Sequence, residues 1–318
     1  MAIQTSDLPT RARAGTTPGG ARPGRRRRLL EQLTTQAFLV PIAVVLVVLF
    51  LVPLAESVYY SFTDYSGSSP TRHLVGLRNY RQIFTDPSVL TGLGFTLLYA
   101  VATTLVVTVL AIPLAVILNR RFPGRSLVRA AFFFPAVPSM AILGLVWTFV
   151  LSPLSSGVIN SVLGSLGAGP VPWLSDNTLA KVSVIVVGVW AQTGWHAVLY
   201  LAYLQSVPRD YYEAATIDGA TPRQQFFRIT LPLLAPAMTV SQFLLLINGL
   251  RVYDLPFTLT GGGPGYDTYT ITQVLVQRGI AEGDYGLGAA LGVIFLIAVA
   301  AVLSLQLSVT RRLERRFR

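Results

Sequence analysis

The stretch Ser206-Val-Pro-Arg-Asp-Tyr-Tyr-Glu-Ala-Ala-Thr-Ile-Asp-Gly-Ala-Thr-Pro-Arg-Gln-Gln-Phe-Phe-Arg-Ile-Thr-Leu-Pro232 is a polar island between two long apolar runs. Its punctuation predicts two short helices. Pro208 precedes a first turn carrying Asp210 and Glu213, acids that suit the positive end of a helix dipole. Asp218-Gly219 stops that helix, because glycine takes the left-handed backbone that a C-terminal cap needs. Thr221 opens the second helix, with Pro222 at its first position and Gln224 placed for a capping box. Tyr211, Ala214, Ala215 and Asp218 fall on one face at helical spacing.

Outward from this island the chain is apolar. Hydrophobic residues make up 52% of the sequence and charged residues only 12%, about half the usual share of a soluble domain. A bilayer-spanning helix needs about 20 mostly apolar residues. Six stretches qualify, at about 37–60, 93–118, 128–151, 179–205, 231–254 and 286–309, leaving residues 206–230 as the polar loop between the fourth and fifth. Six such runs leave no polar faces to form a water-facing exterior, which argues against buried helices of a soluble core. The expected fold is an all-α integral membrane protein with six transmembrane helices.

The charges orient it. Lys and Arg number 25 against 14 Asp and Glu. Of these, 19 cluster before the first span, around Arg120–Arg129, in the 206–230 loop and at the C-terminus, which the positive-inside rule makes the cytoplasmic side. Both termini are then expected in the cytoplasm. Residues 1–28, rich in Arg, Thr, Gly and Pro, read as a disordered basic tail drawn to anionic membrane lipid, with residues 29–318 forming the six-span domain. The tail lacks the aromatic interleaving that would support nucleic-acid binding. A secretory signal fits poorly, because the apolar stretch after the arginines is too long and no small-residue cleavage site follows.

Several functions are excluded by what is missing. Without cysteine there is no disulfide framework, thiolate metal site or cysteine nucleophile, and His73 and His196 have no metal-ligand spacing. A stand-alone secondary carrier of a small polar solute, the alternative reading, wants an ionisable group in mid-membrane, and the spans hold almost none. Arg251 and Asp254, three apart, are expected to pair near the end of the fifth span. A membrane-embedded transferase would need clustered carboxylates or metal ligands, and the acids are scattered. No phosphate loop of the G-x-x-x-x-G-K-[ST] type is present, and Gly261–Gly263 neither follows a strand nor opens a helix. The energy for any transport must therefore come from another molecule. Taken on its residues alone, the 206–230 loop fits equally well as a helix lying on lipid or as a docking helix for a partner.

The string Glu213-Ala-Ala-Thr-Ile-Asp218-Gly219-Ala220, followed by Phe227, Ile229, Leu231 and Pro232, resembles the EAA loop of ABC importer permeases. Further segments resemble the carbohydrate branch of that family: Gly76-Leu-Arg-Asn79-Tyr80, then Pro135, Pro138, Trp147, Gly157 and Asn160, then Tyr253-Asp254 and Leu259-Thr-Gly-Gly-Gly-Pro264. The likeness covers roughly residues 37–310; Tyr253 stands where Phe is common.

The resemblance implies a type I importer fold in a bacterial cell membrane and a chain that is not itself an enzyme. It implies three kinds of partner: a second six-span permease that completes the path, a dimeric cytoplasmic ATPase, and an extracytoplasmic sugar-binding protein. It implies no cofactor on this chain, with Mg-ATP bound by the partner ATPase. Glu213, Ala214, Ala215, Asp218 and Gly219 would form the ATPase-coupling helix. Sugars want polar groups for their hydroxyls and aromatic faces for their rings, and Gln192, Trp195, Asn248, Tyr253 and Asp254 are the candidates for lining the substrate path. In some importers of this family only one of the two permeases holds the sugar, and the sequence leaves open which of the two this chain is.

Overall fold

The computed structural model describes residues 39–67 and 72–317, with side chains through residue 308. The basic tail expected at 1–28 and the start of the first span at 37 lie outside the described residues. Helices account for almost all of the regular structure described, together with an isolated antiparallel bridge between Thr63 and Leu74.

Four helices are long and apolar enough to cross a bilayer: Leu39–Tyr60, Pro87–Asn119, Asn177–Leu204 and Tyr285–Ser308. Two more candidate spans are broken. Arg125–Ala136 and Met140–Val150 meet at 96°, and Pro222–Leu233 and Ala235–Leu250 meet at 65°. Counting each bent pair as one span gives six.

The breaks correct the expected boundaries, and proline and capping chemistry explain them. The run at 128–151 is not one straight helix: Phe134–Ala136 tightens to a 3-10 turn around Pro135, and beyond Pro138 the side chain of Ser139 caps a new helix. Each proline removes an N–H that a continuous helix would use. The run at 231–254 ends as a helix at Leu250, and the chain restarts at Asp254–Thr260. Pro256 has no N–H to offer the carbonyl of Val252, so an unbroken helix here would lose a bond. Arg251 and Asp254 therefore do not share a helical face, and the ion pairs found among the described residues do not include the one expected between them. The second span begins earlier than expected, at Pro87, where Asp86 accepts a hydrogen bond from the Ser88 N–H at 2.8 Å.

The first unit of the chain, through Ala55, shows only part of the Leu39–Tyr60 helix. Its described residues are all exposed, and their apolar character on every side suits a lipid-facing span. Pro53 follows a widened turn at Val47–Leu51, the usual accommodation of a proline within a helix.

From Glu56 onward the second unit is organised around the Pro87–Asn119 helix. Near one end, Val107, Ala111, Ala115 and Leu118 pack with Ala197, Tyr200, Leu201 and Leu204 of Asn177–Leu204, together with Leu234 and Leu245. Near the other, Phe95 and Tyr99 pack with Val184, Val187, Leu255 and Leu259. Lipid tails are as apolar as these side chains, so burial by itself drives little of this association. Close backbone approach does the work instead, through the fully buried Ala100, Ala111, Ala115, Ala191 and Ala197.

Buried polar groups are satisfied locally. Thr103, Thr104 and Thr108 each donate to the carbonyl four residues back at 2.6–2.7 Å. Thr96 donates to Gly92 and accepts from the Ile271 N–H at 2.9 Å, which ties the Ile271–Val274 helix to the central one. Two asparagines flagged in the sequence are structural knots. Asn79 donates to the carbonyls of Ser61 and Thr63, and Asn160 accepts from the Val171 N–H and the Trp173 indole.

Gly194 marks the tightest crossing. A methyl group there would run into the Phe132 carbonyl of the 125–136 segment. Gly194→Ala should therefore destabilise the fold by about 1–3 kcal/mol, read as a lower thermal unfolding midpoint in detergent. An unchanged midpoint would show that the two backbones have room to spare.

Candidate functional site

Two places concentrate the candidate residues. The first is the loop after Leu204. Its leading helix runs Asp210–Ile217, with Asp210 and Glu213 in the first turn. Gly219 has φ +77°, and the Ala220 N–H reaches the Ala215 carbonyl at 2.8 Å while the Gly219 N–H reaches Thr216 at 3.0 Å. That is the Schellman arrangement, closed by the residue type it requires. Thr221 and Gln224 then form a reciprocal capping box, with Thr221 N–H to Gln224 Oε1 at 2.8 Å.

The loop is tied down at two further points. Gln225 Nε2 donates to Thr216 Oγ1 at 3.0 Å and to the Ala220 carbonyl at 3.3 Å. The Tyr212 and Thr230 hydroxyls lie 3.2 Å apart, joining the leading helix to the base of the next membrane segment. The result is a firm protrusion whose tip is bare. Glu213, Ala214, Asp218 and Gly219 are exposed, and Ala215 turns partly inward between the two short helices. Tyr211 stays out on the exposed side.

Ile217 was not singled out by the sequence reading, yet it is 86% exposed at the tip of this helix. A large aliphatic side chain held in the open beside an acid and two alanines suits insertion into a partner's cleft. The only sequence signal for it was an apolar residue on the polar face of a short helix.

The second place is a cleft of about 290 Å³ where the break after Leu250 meets the 87–119 and 177–204 helices. Gln192, Asn248, Tyr253 and Asp254 all line it, drawn from three elements. The helix break makes this convergence possible, because it turns Tyr253 and Asp254 off the axis that carries Asn248. Tyr253 stacks nearly parallel on Phe257, with ring centroids 5.2 Å apart, and so offers a flat aromatic shelf.

Trp195 does not line this cleft. It stands 40% exposed, edge-on to His196 at 4.7 Å. His196 is buried, and its Nδ1 lies 2.7 Å from Ser241 Oγ, a cross-helix tie between the fourth and fifth candidate spans. Trp190 packs edge-on to Trp147. Arg251, assigned from sequence to an ion pair, instead lines the cleft alongside Asp254. The cleft is thus lined by two amides, two phenols (Tyr99 and Tyr253), a carboxylate and a guanidinium, together with apolar side chains. Such groups can hold a hydroxyl-rich ligand, and no nucleophile–base pair is set among them. No cluster of metal-ligating side chains occurs among the described residues.

At the opposite end from the basic loop, Lys181 pairs with Asp267 at 2.6 Å, and Arg278 bridges Asp86 and Glu282 at 3.1 and 3.0 Å. Burial works against ionisation of Asp86, but hydrogen bonds from Ser88 and the Arg278 charge outweigh it and hold its pKa below the ordinary value.

Residues 108–318 match the family model of the binding-protein-dependent transport system inner membrane component. The chain belongs to that family. This permease is 34% identical to the trehalose/maltose transport system permease protein of Thermococcus litoralis, over 86% of this chain and 92% of that one. It is 32% identical to a probable starch degradation products transport system permease protein of Thermoanaerobacterium thermosulfurigenes, over 87% and 94%. Its fold superposes on a chain of a bacterial alginate ABC transporter, solved with an alginate pentasaccharide-bound periplasmic protein, with TM-score 0.78 at 24% identity, covering 91% of this chain and 98% of that one.

Membership makes the protein an inner-membrane subunit of an ABC transporter, a non-enzymatic transport component that works with a substrate-binding protein. The reading as a stand-alone carrier falls with it.

Gly219→Val should strain the left-handed turn by about 1–2 kcal/mol and loosen the tip without touching the cleft. Limited proteolysis checks this: faster cutting between Ile217 and Thr221 is expected, and an unchanged pattern would mean that the tip does not depend on the glycine.

Proposed function

We propose that this permease forms part of a translocation path for a sugar or oligosaccharide, enclosed with a second six-span permease and driven by a dimeric cytoplasmic ATPase. The observation that carries the reading is the pairing of a bare, rigidly tied tip with a small polar cleft in the bundle. The two serve different partners. The Glu213–Gly219 segment would seat in the ATPase, with Glu213 pairing to a basic side chain there and Ile217 filling an apolar recess. Mg-ATP would bind on that ATPase and nowhere on this chain. The basic end of the bundle faces the cytoplasm in this reading, with both termini there, and an extracytoplasmic sugar-binding protein delivers the ligand to the opposite end.

Closure of the ATPase on nucleotide would draw the tip inward. Because Tyr212 and Gln225 fasten the tip to its base, the displacement would pass to the membrane helices as rigid-body rocking, not dissipate in the loop. In the cleft, Gln192 and Asn248 would donate to and accept from hydroxyls, Asp254 would accept from them, and the Tyr253 ring would cover the apolar face of a sugar. Relatives named for transport of trehalose/maltose and of starch degradation products support a saccharide as cargo.

Two experiments test the reading. Purification of the tagged chain in mild detergent should bring down a second six-span protein and an ATPase, and Glu213→Ala should weaken that association or uncouple ATP hydrolysis from uptake. Normal assembly together with normal uptake in this variant would sink the coupling assignment. For the cleft, Asn248→Ala and Gln192→Ala should each lower uptake roughly tenfold, the cost of about one polar contact, with ATPase association unchanged. Trp195→Ala should lower it less. Equal losses from all three would mean that the path runs along the Trp195 face instead.

A further inference from the structure

At the basic end of the bundle a second cleft, of about 630 Å³, opens between the Pro87–Asn119 helix and the segment that follows the tip. Its lining is mainly apolar, with Val116 and Ile117 from the first and Phe226 and Phe227 from the second, alongside polar groups such as Asn119, Gln225 and Thr230. Ile117 and Phe227 are more than half exposed. Arg120 and Arg223 stand at its rim. An adjoining hollow of about 450 Å³ shares Asn119, Leu204 and Tyr212 with it and carries Arg121 and Arg209.

No acidic side chain lines either space. Among the described residues these four arginines make no ion pair and no side-chain hydrogen bond; the pairs found involve Lys181 and Arg278 instead. Two unpaired cations on an open, mainly apolar trough, with two more in the hollow beside it, form an amphiphilic site. A zwitterionic lipid would cover the apolar wall but bring its own cation beside the arginines, leaving their net charge unanswered. Inorganic phosphate would answer the charges and leave the wall in water.

We propose that this cleft binds an anionic phospholipid, with its phosphate held by Arg120 and Arg223 and an acyl chain against Ile117 and Phe227. Basic pockets between helices at the cytoplasmic level are suited to such headgroups, and guanidinium groups suit phosphate geometry. The site bears on coupling, because Tyr212 lines both spaces and its hydroxyl meets Thr230 at 3.2 Å. A lipid wedged there would brace the tie between the tip and the membrane helix. That consequence rests on the coupling role proposed above; the binding itself does not.

The test uses the full chain with whatever subunits co-purify, in detergent with mixed phosphatidylcholine and phosphatidylglycerol, and native mass spectrometry to count retained lipid. Phosphatidylglycerol should be retained in preference to phosphatidylcholine. Arg120→Gln with Arg223→Gln should lower that retention roughly tenfold, and Ile117→Trp, which fills the trough without changing charge, should lower it as well. Arg125→Gln with Arg129→Gln, on the same end but outside both spaces, should leave it intact. Equal retention of the two lipids overturns the proposal, as does unchanged retention in both cleft variants or an equal loss in the Arg125/Arg129 control. Displacement by inorganic phosphate, beyond that by sodium chloride of matched ionic strength, would assign the arginines to a free anion and also overturn it. Retention that vanishes on assembly with the other subunits would show that a protein partner covers the trough, and would overturn the proposal as well. Absence of any co-purifying ATPase would count against the transport reading while leaving lipid retention as the measure of this one.

Discussion

The hydrocarbon core supplies no hydrogen bonds, so every backbone N–H and C=O within it must find its partner inside the protein. Most of this chain meets that requirement with helix. Where it departs from helix, at Val137–Ser139 and at Arg251–Tyr253, another element lies alongside. The Asp254–Thr260 helix packs against Met140–Val150, and Thr148 reaches the carbonyls of Thr258 and Leu259 at 3.2 and 3.4 Å. The helices that restart after the two breaks therefore pack on each other. Irregular backbone within a membrane span survives only where protein, or a water-lined cavity, replaces the missing partners, and the cleft holding Gln192, Asn248, Tyr253 and Asp254 lies at one of these breaks.

The same constraint shapes the packing. Association within lipid gains little from burial, so contact between the central helix and its neighbours depends on small residues that let backbones meet. Alanines at 100, 111, 115, 191 and 197 supply it, while threonines at 103, 104 and 108 return their hydroxyls to their own helix. This leaves cross-helix polar contacts rare and specific. His196 with Ser241 and Thr96 with Ile271 are such contacts, and both fasten elements that flank the polar cleft.

The basic end, a polar segment between two apolar runs, is built by other rules. There the chain uses soluble-protein devices: a Schellman turn at Gly219, a capping box at Thr221–Gln224, and side-chain ties from Tyr212 and Gln225. They make the loop stiff in itself and firmly seated, as the coupling role proposed for it would require. A loop held only by its two ends would absorb the motion of a partner without passing it on.

Much of this was legible in the sequence. The apolar runs fix which segments lie in lipid, because transfer energy depends on composition summed over about 20 residues and little on context. The turn chemistry of 206–232 was equally readable: Gly219, Thr221, Pro222 and Gln224 act through bonds spanning only a few residues. What composition could not reveal was how the runs at 128–151 and 231–254 break, since both sides of each break are equally apolar. Nor could periodicity separate Trp195 from Gln192, three residues apart on one helix, or release Arg251 from its expected pairing with Asp254. Those outcomes depend on which neighbour's backbone stands nearby to accept a bent chain, and such neighbours lie far away in sequence. Local bonding and lipid solubility were thus written in the residue order, whereas the meeting of polar groups from three separate elements was decided by the packing alone.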